Sequence, residues 1–75
     1  MSEPAYLQVA RDIREQIKSG QLKPGDKLPS FNALCEHYKV SGTVIRTSMI
    51  LLKAEGVLDG KQGKGVYVMS PASGS

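Results

Sequence analysis

Apolar residues recur along the start of this chain with the period of a helix. Tyr6, Ala10, Ile13 and Ile17 are spaced by four, three and four, one stripe of a 3.6-residue repeat, while Arg11, Asp12, Arg14, Glu15 and Lys18 take the other faces. The pattern predicts a helix over residues 5–19. Pro4 stands near its start, where a missing N–H costs nothing, and Gly20 is suited to a left-handed stop. Lys18 complements the negative end of the helix dipole, and Arg11 is spaced to pair with Glu15.

Residues 20–29 read as connection, with Pro24-Gly25 as a turn pair and Lys27-Leu28 as a short added strand. Ser30 is placed to cap a second helix running to about Tyr38, with Leu34, Cys35 and Tyr38 on its apolar face. Lys39-Val40 makes a tight turn. Ser41 then caps a third helix ending near Glu55, whose buried stripe is Ile45, Ser48, Met49 and Leu52, and Gly56 stops it. After Gly56 the period changes to two. Val57-Leu58 and the run 66–69 read as β segments flanking a glycine-rich link, 59–65, expected to be a mobile hairpin tip. Residues 70–75 have the composition of a linker or tail. The order is helix, helix, tight turn, helix, hairpin. It predicts a mainly α domain over residues 1–69, a winged helix-turn-helix with a three-helix core and a two-stranded wing.

Composition narrows the function. Seventy-five residues make one domain, and 40% hydrophobic with 23% charged residues is ordinary for a globular fold. A lone Cys35 cannot form an internal disulfide, and a secreted domain this small would usually need several, so a reducing cytoplasmic setting is expected. No apolar run approaches the roughly 20 residues of a membrane span, and the N-terminus lacks the pattern of a signal peptide. The net charge of +3 is unevenly placed. Arg11, Arg14, Lys18, Lys23 and Lys27 are cancelled by Glu3, Asp12, Glu15, Asp26 and Glu36. Beyond residue 38, Lys39, Arg46, Lys53, Lys61 and Lys64 face only Glu55 and Asp59. Excess positive charge gathered in one half suits a polyanionic partner.

The third helix gives that charge a use. Its first turns present Ser41, Gly42, Thr43, Arg46 and Thr47, and no acid occurs between Lys39 and Ala54. Hydroxyls and a guanidinium bond phosphates and base edges, whereas a carboxylate would be repelled. A helix of this width fits the major groove with its N-terminal end leading. Lys61, Gln62, Gly63 and Lys64 then offer cations and a compact tip able to approach the backbone or the minor groove.

Four segments resemble the N-terminal domain of GntR-type transcriptional regulators: I-x-x-G-x-L-K-P-G-D-K-L-P-S at 17–30, V-S-x-T-x-x-R at 40–46, L-x-x-E-G-V-L at 52–58 and Q-G-K-G-V-Y-V at 62–68. The resemblance spans over four-fifths of the chain. It implies a winged helix-turn-helix that binds double-stranded operator DNA, usually as a homodimer on a palindrome, with the third helix in the major groove and the wing at the minor groove. Repression by operator occupancy is the outcome it implies. Such regulators carry a C-terminal effector and dimerisation domain, which this chain is expected to lack. Ser41, Thr43 and Arg46 match DNA-contacting positions of the family, and Gly63 matches the wing tip.

Three departures stand out against that resemblance. After Leu-Pro-Ser the family has Glu then Arg, the latter often a DNA contact; here Ser30 is followed by Phe31 and Asn32. Asn32 can bond a base edge or a phosphate but offers no cationic fork. Gly42 stands where many members carry a longer polar side chain, and Val44 replaces a common Thr. Fewer cationic contacts and a different operator are expected.

Other chemistries fit poorly. Gly60, Gly63 and Gly65 lack the G-K-[ST] ending of a phosphate-binding loop, and His37 and Cys35, two apart on a helix, point about 200° apart and cannot share a metal. No catalytic constellation stands out, so neither enzyme activity nor a cofactor is expected. Arg46 has an alternative use as an ion-pair partner of Glu55 or Asp59, and Lys53 reads as a solvated side chain. Ile50 and Leu51 fit the buried stripe least well. One is expected to pack inward; the other leaves open a winged helix that binds a protein and not DNA.

Overall fold

The computed structural model describes residues 3–61 and 65–69. Three helices and a hairpin follow in the expected order: α1 Ala5–Ser19, α2 Phe31–Tyr38, α3 Gly42–Ala54, β1 Leu58–Lys61 and β2 Gly65–Val68. The tail, residues 70–75, lies outside the described residues. No described helix is long and apolar enough to cross a membrane.

α1 packs along α3, and their shared interior is the centre of the core. Ala10, Ile13, Ile45, Leu52 and Leu58 are essentially sealed from solvent. The predicted stripe of α1 needs one addition. Val9 is buried with Ala10 and Ile13, whereas Tyr6 and Ile17, nearer the helix ends, are only half-buried. On α3 the predicted stripe holds throughout: Ile45, Ser48, Met49 and Leu52 are all buried. The Ser48 hydroxyl lies 2.9 Å from the carbonyls of both Tyr6 and Val44 and donates to this pair, so a buried polar atom is satisfied at the helix crossing.

Both helix stops read from glycine are present. Gly20 (φ 93°) and Gly56 (φ 79°) adopt the left-handed conformation that ends a helix without a Cβ clash. Between α2 and α3 the same conformation falls on Lys39 (φ 57°), which turns the chain tightly enough to set the two helices at an angle.

The hairpin is longer than its apolar runs. Asp59, Gly60 and Lys61, read as part of the link, belong to β1, while Val57 and Met69 lie outside the strands and are joined by a Met69 N–H to Val57 carbonyl bond of 3.0 Å. The register pairs Leu58 with Val68 and Gly60 with Val66 on the core side, and Asp59 with Tyr67 on the other. Period two thus continues through residues too polar or too small to reveal it. The short strand expected at Lys27-Leu28 is a bridge to Tyr67, reinforced by Leu28 N–H to Val66 carbonyl at 2.8 Å and Val68 N–H to Asp26 carbonyl at 2.8 Å. β2 is therefore flanked on both sides.

Ion pairs secure α1 differently from its local spacing. Arg11 pairs with Glu3 and not with Glu15, because a residue ahead of the helix folds back along it. Arg14 bonds Glu55 through both ends of its guanidinium, at 2.9 and 3.2 Å, joining α1 to the end of α3. α1 and α2 are joined by Tyr38, whose hydroxyl donates to Asp12 at 2.5 Å, while Gln16 donates to the same carboxylate at 2.8 Å. Burial and then the Asp12 hydrogen bond raise the Tyr38 phenol above its ordinary pKa of 10.0. The folded state therefore favours the neutral phenol. Its stabilising effect is complete below the unfolded pKa and is lost as pH rises beyond it. Denaturant titrations of the wild type are expected to show stability falling above about pH 10, more steeply than in Tyr38→Phe. Parallel curves for the two proteins would contradict this linkage.

Candidate nucleic-acid interface

Because Ile45, Ser48, Met49 and Leu52 are turned inward, the residues between them in the helical period face out. Thr43 and Arg46 are exposed and Thr47 is half-exposed, on the side of α3 opposite the core. Arg46 is not the partner of Glu55, which is bonded to Arg14, and it enters neither ion pair among the described residues. Among the described residues its guanidinium has no hydrogen-bond or ion-pair partner, which leaves its donors for a ligand. The Thr47 hydroxyl is different: it donates to the Thr43 carbonyl at 2.9 Å, so only its oxygen lone pairs remain for a ligand.

Two helices start at the same place. The Ser30 hydroxyl accepts from the Ala33 N–H at 3.1 Å, and the Ser41 hydroxyl accepts from the Val44 N–H at 3.4 Å. Each capping oxygen retains its own proton, free to donate outward. The closeness of the two starts follows from Phe31 and Gly42: a Cβ on Gly42 would lie 3.1 Å from Cε2 of the Phe31 ring. The positive ends of both helix dipoles thus converge beside exposed Asn32 and Thr43, which favours an anion there.

Of the residues expected at the wing, Gln62, Gly63 and Lys64 lie outside the described residues, and of Lys61 only its backbone place at the end of β1 is described. Two further cations reach the wing from elsewhere, and sequence reasoning did not find them. Lys53, on α3, brings its ammonium to 2.9 Å from where a Cβ on Gly60 would stand. Lys27, beside β2, brings its Cε to 2.9 Å from the corresponding point on Gly65. Both contacts run to glycines, which leave room for a lysine stem to lie across the strand. The signal in the chain was the glycine spacing of the hairpin, but nothing local says which lysine fills the space.

The remaining candidates resolve plainly. Leu51 packs against the core, whereas Ile50 stays 60% exposed. Cys35 is half-buried against the core, and His37 is exposed, its ring edge-on to Tyr38 at 4.7 Å.

A helix pair, α2 and α3, joined by a tight turn and packed on α1, with a carboxylate-free polar face on α3 and a hairpin after it, defines a winged helix-turn-helix. The profile described as bacterial regulatory proteins, gntR family, matches residues 5–68. The chain belongs to that family. It is 43% identical over 70 residues to the HTH-type transcriptional regulator YurK of Bacillus subtilis, covering 93% of this chain and 29% of that protein. It is 44% identical over 66 residues to the mannosyl-D-glycerate transport/metabolism system repressor MngR of Escherichia coli, covering 88% and 28%. The chain thus spans under a third of the length of these curated relatives. Among solved structures, the DNA-binding domain of AraR in complex with operator ORX1 superposes with a TM-score of 0.86 at 34% identity, covering 89% of this chain and 81% of that one.

The caps make the interface testable as a piece of folding. Ser30→Ala and Ser41→Ala are each expected to lower stability by about 1 kcal/mol in urea titrations. No loss for either variant would mean that the bonds seen at 3.1 and 3.4 Å contribute nothing.

Proposed function

We propose that this domain binds double-stranded DNA sequence-specifically in transcriptional control, with the leading end of α3 in the major groove and the wing at the minor groove. The observation that carries this reading is the outward face of α3: Thr43 and Arg46 exposed, no carboxylate among them, and Arg46 without an ion-pair partner among the described residues. Arg46 and Asn32 read base edges, Ser30, Ser41 and Thr43 bond phosphates, and Lys61, Gln62, Gly63 and Lys64 follow the backbone at the wing. Thr47 and Gly42 let the helix lie close. Lys27 and Lys53 extend the positive surface along the wing's base. The DNA-binding domain of AraR, similar in fold and crystallised in complex with its operator, supports DNA as the ligand. Two copies on a palindrome, repressing by occupancy in the cytoplasm, complete the reading, and MngR is a repressor of similar sequence. Catalysis has no part in it.

Affinity carried by phosphate contacts falls with salt, log K against log[salt] having a slope near −0.9 per phosphate neutralised. Sites selected from random duplexes are expected to contain an inverted repeat. Arg46→Ala is expected to weaken the selected site by about 1–3 kcal/mol and relax one base position, with an unchanged melting temperature. Lys53→Ala is expected to weaken all duplexes alike and to lower the salt slope by about one. Ser41→Asp retains a capping oxygen but adds a repelled charge, so it is expected to stay folded and lose DNA.

Exposed Ile50 favours the other reading, a protein-binding winged helix. Titration with mixed duplex at low salt decides: binding that weakens with added salt supports DNA, and absence of binding at any salt overturns it.

A further inference from the structure

Two of the departures from the family pattern, Phe31 and Gly42, prove to be one feature. Phe31 is the first residue of α2 and Gly42 the first of α3. The Phe31 ring fills the space a side chain at position 42 would need, its Cε2 and Cζ lying 3.1 and 3.6 Å from an added Cβ. Yet the ring is not a core residue. It remains 43% exposed, between Ser30 and Asn32 on one helix start and beside Ser41 and Thr43 on the other. Its other flank borders a shallow apolar groove lined by Pro29, Leu34, Met49 and Val66. A large apolar group has thus been set at the point where two helix starts converge, among the polar groups assigned above to DNA.

On the base edges of the major groove, an exposed ring in that position meets one methyl group. The other groups there are hydrogen-bond donors and acceptors, but thymine carries a C5 methyl on the floor of the major groove, and Phe is among the side chains that pack against it. We infer that the Phe31 ring, propped against Gly42, packs on the C5 methyl of a thymine in each half-site and so selects that base. The inference rests on the DNA-binding reading above and specifies what the operator contains. It also gives Gly42 a purpose. Even a Cβ there requires the ring to give by a few tenths of an ångström, and a branched side chain requires more, so glycine is the residue that leaves the ring where it stands, and Phe31 is the group that makes the contact.

The test replaces thymine by uracil, which pairs identically and lacks only the methyl. A duplex selected by the full 75-residue chain is remade with uracil at each thymine in turn. One position per half-site is expected to weaken wild-type binding by about fourfold, the loss of one buried methyl-sized group. Phe31→Ala, confirmed folded by its circular dichroism, is expected to bind the thymine and uracil duplexes equally. Gly42→Val, which moves the ring without removing it, is expected to lose the same discrimination, and Phe31→Leu to keep part of it. Duplex binding with no uracil effect at any position overturns the inference. So does a uracil effect that persists undiminished in Phe31→Ala, since another group then reads the methyl. Failure of the wild type to bind any duplex at low salt instead overturns the DNA-binding reading on which this one stands.

Discussion

Where α1 crosses α3, the interior contains a single hydroxyl. Ser48 is the buried polar side chain among the described residues, and its bond reaches across to the Tyr6 carbonyl. A side chain this small lets the helices approach closely, and its hydroxyl proton is matched by carbonyls at the crossing. With Ile45 and Leu52 sealed one turn to either side, α3 cannot rotate about its axis without exposing apolar surface or breaking that bond. Everything outward follows from this lock. Once the inner side of α3 is fixed, a period of 3.6 residues decides that Thr43 and Arg46 meet solvent. The Arg14–Glu55 pair at the far end acts in the same direction: it holds the helix and also keeps an acidic group occupied away from the polar face.

The elements were legible because their signals are local. Serine caps, left-handed glycines and the two apolar stripes each depend on residues within a turn of one another, and they placed α1, α2 and α3 correctly. The buried side of α3 was readable in full, and with it the exposed side. β1 was harder. Leu58 is its one apolar residue, so alternation could not be seen, and the inward place at position 60 is held by a glycine with a lysine stem above it. Val9 was omitted from the α1 stripe although it shares that stripe's spacing. Arg11 was assigned to Glu15 by spacing alone, when an acid ahead of the helix lay within reach.

The site was legible in its backbone and less so in its side chains. Ser41, Thr43 and Arg46 could be placed because they lie on one helix. The association of Phe31 with Gly42 joins two helices eleven positions apart, and those of Lys53 with Gly60 and Lys27 with Gly65 join a helix or a connection to the wing. Such pairings are consequences of packing, and no periodic pattern announces them. Taken singly, Phe31 and Gly42 look like two losses of polar function. In three dimensions each is the condition for the other.

The flanking of β2 has a consequence for how these domains coexist. An unpaired strand edge is a template on which a neighbouring chain can add itself. Here residues 26–28 occupy one side of β2 and β1 the other, so its polar backbone groups are already matched within the molecule. The outer margin left to β1 is four residues long and contains Gly60 and Lys61, a short and poorly cohesive seam. The hairpin therefore offers a neighbouring chain little free edge on which to extend a common sheet.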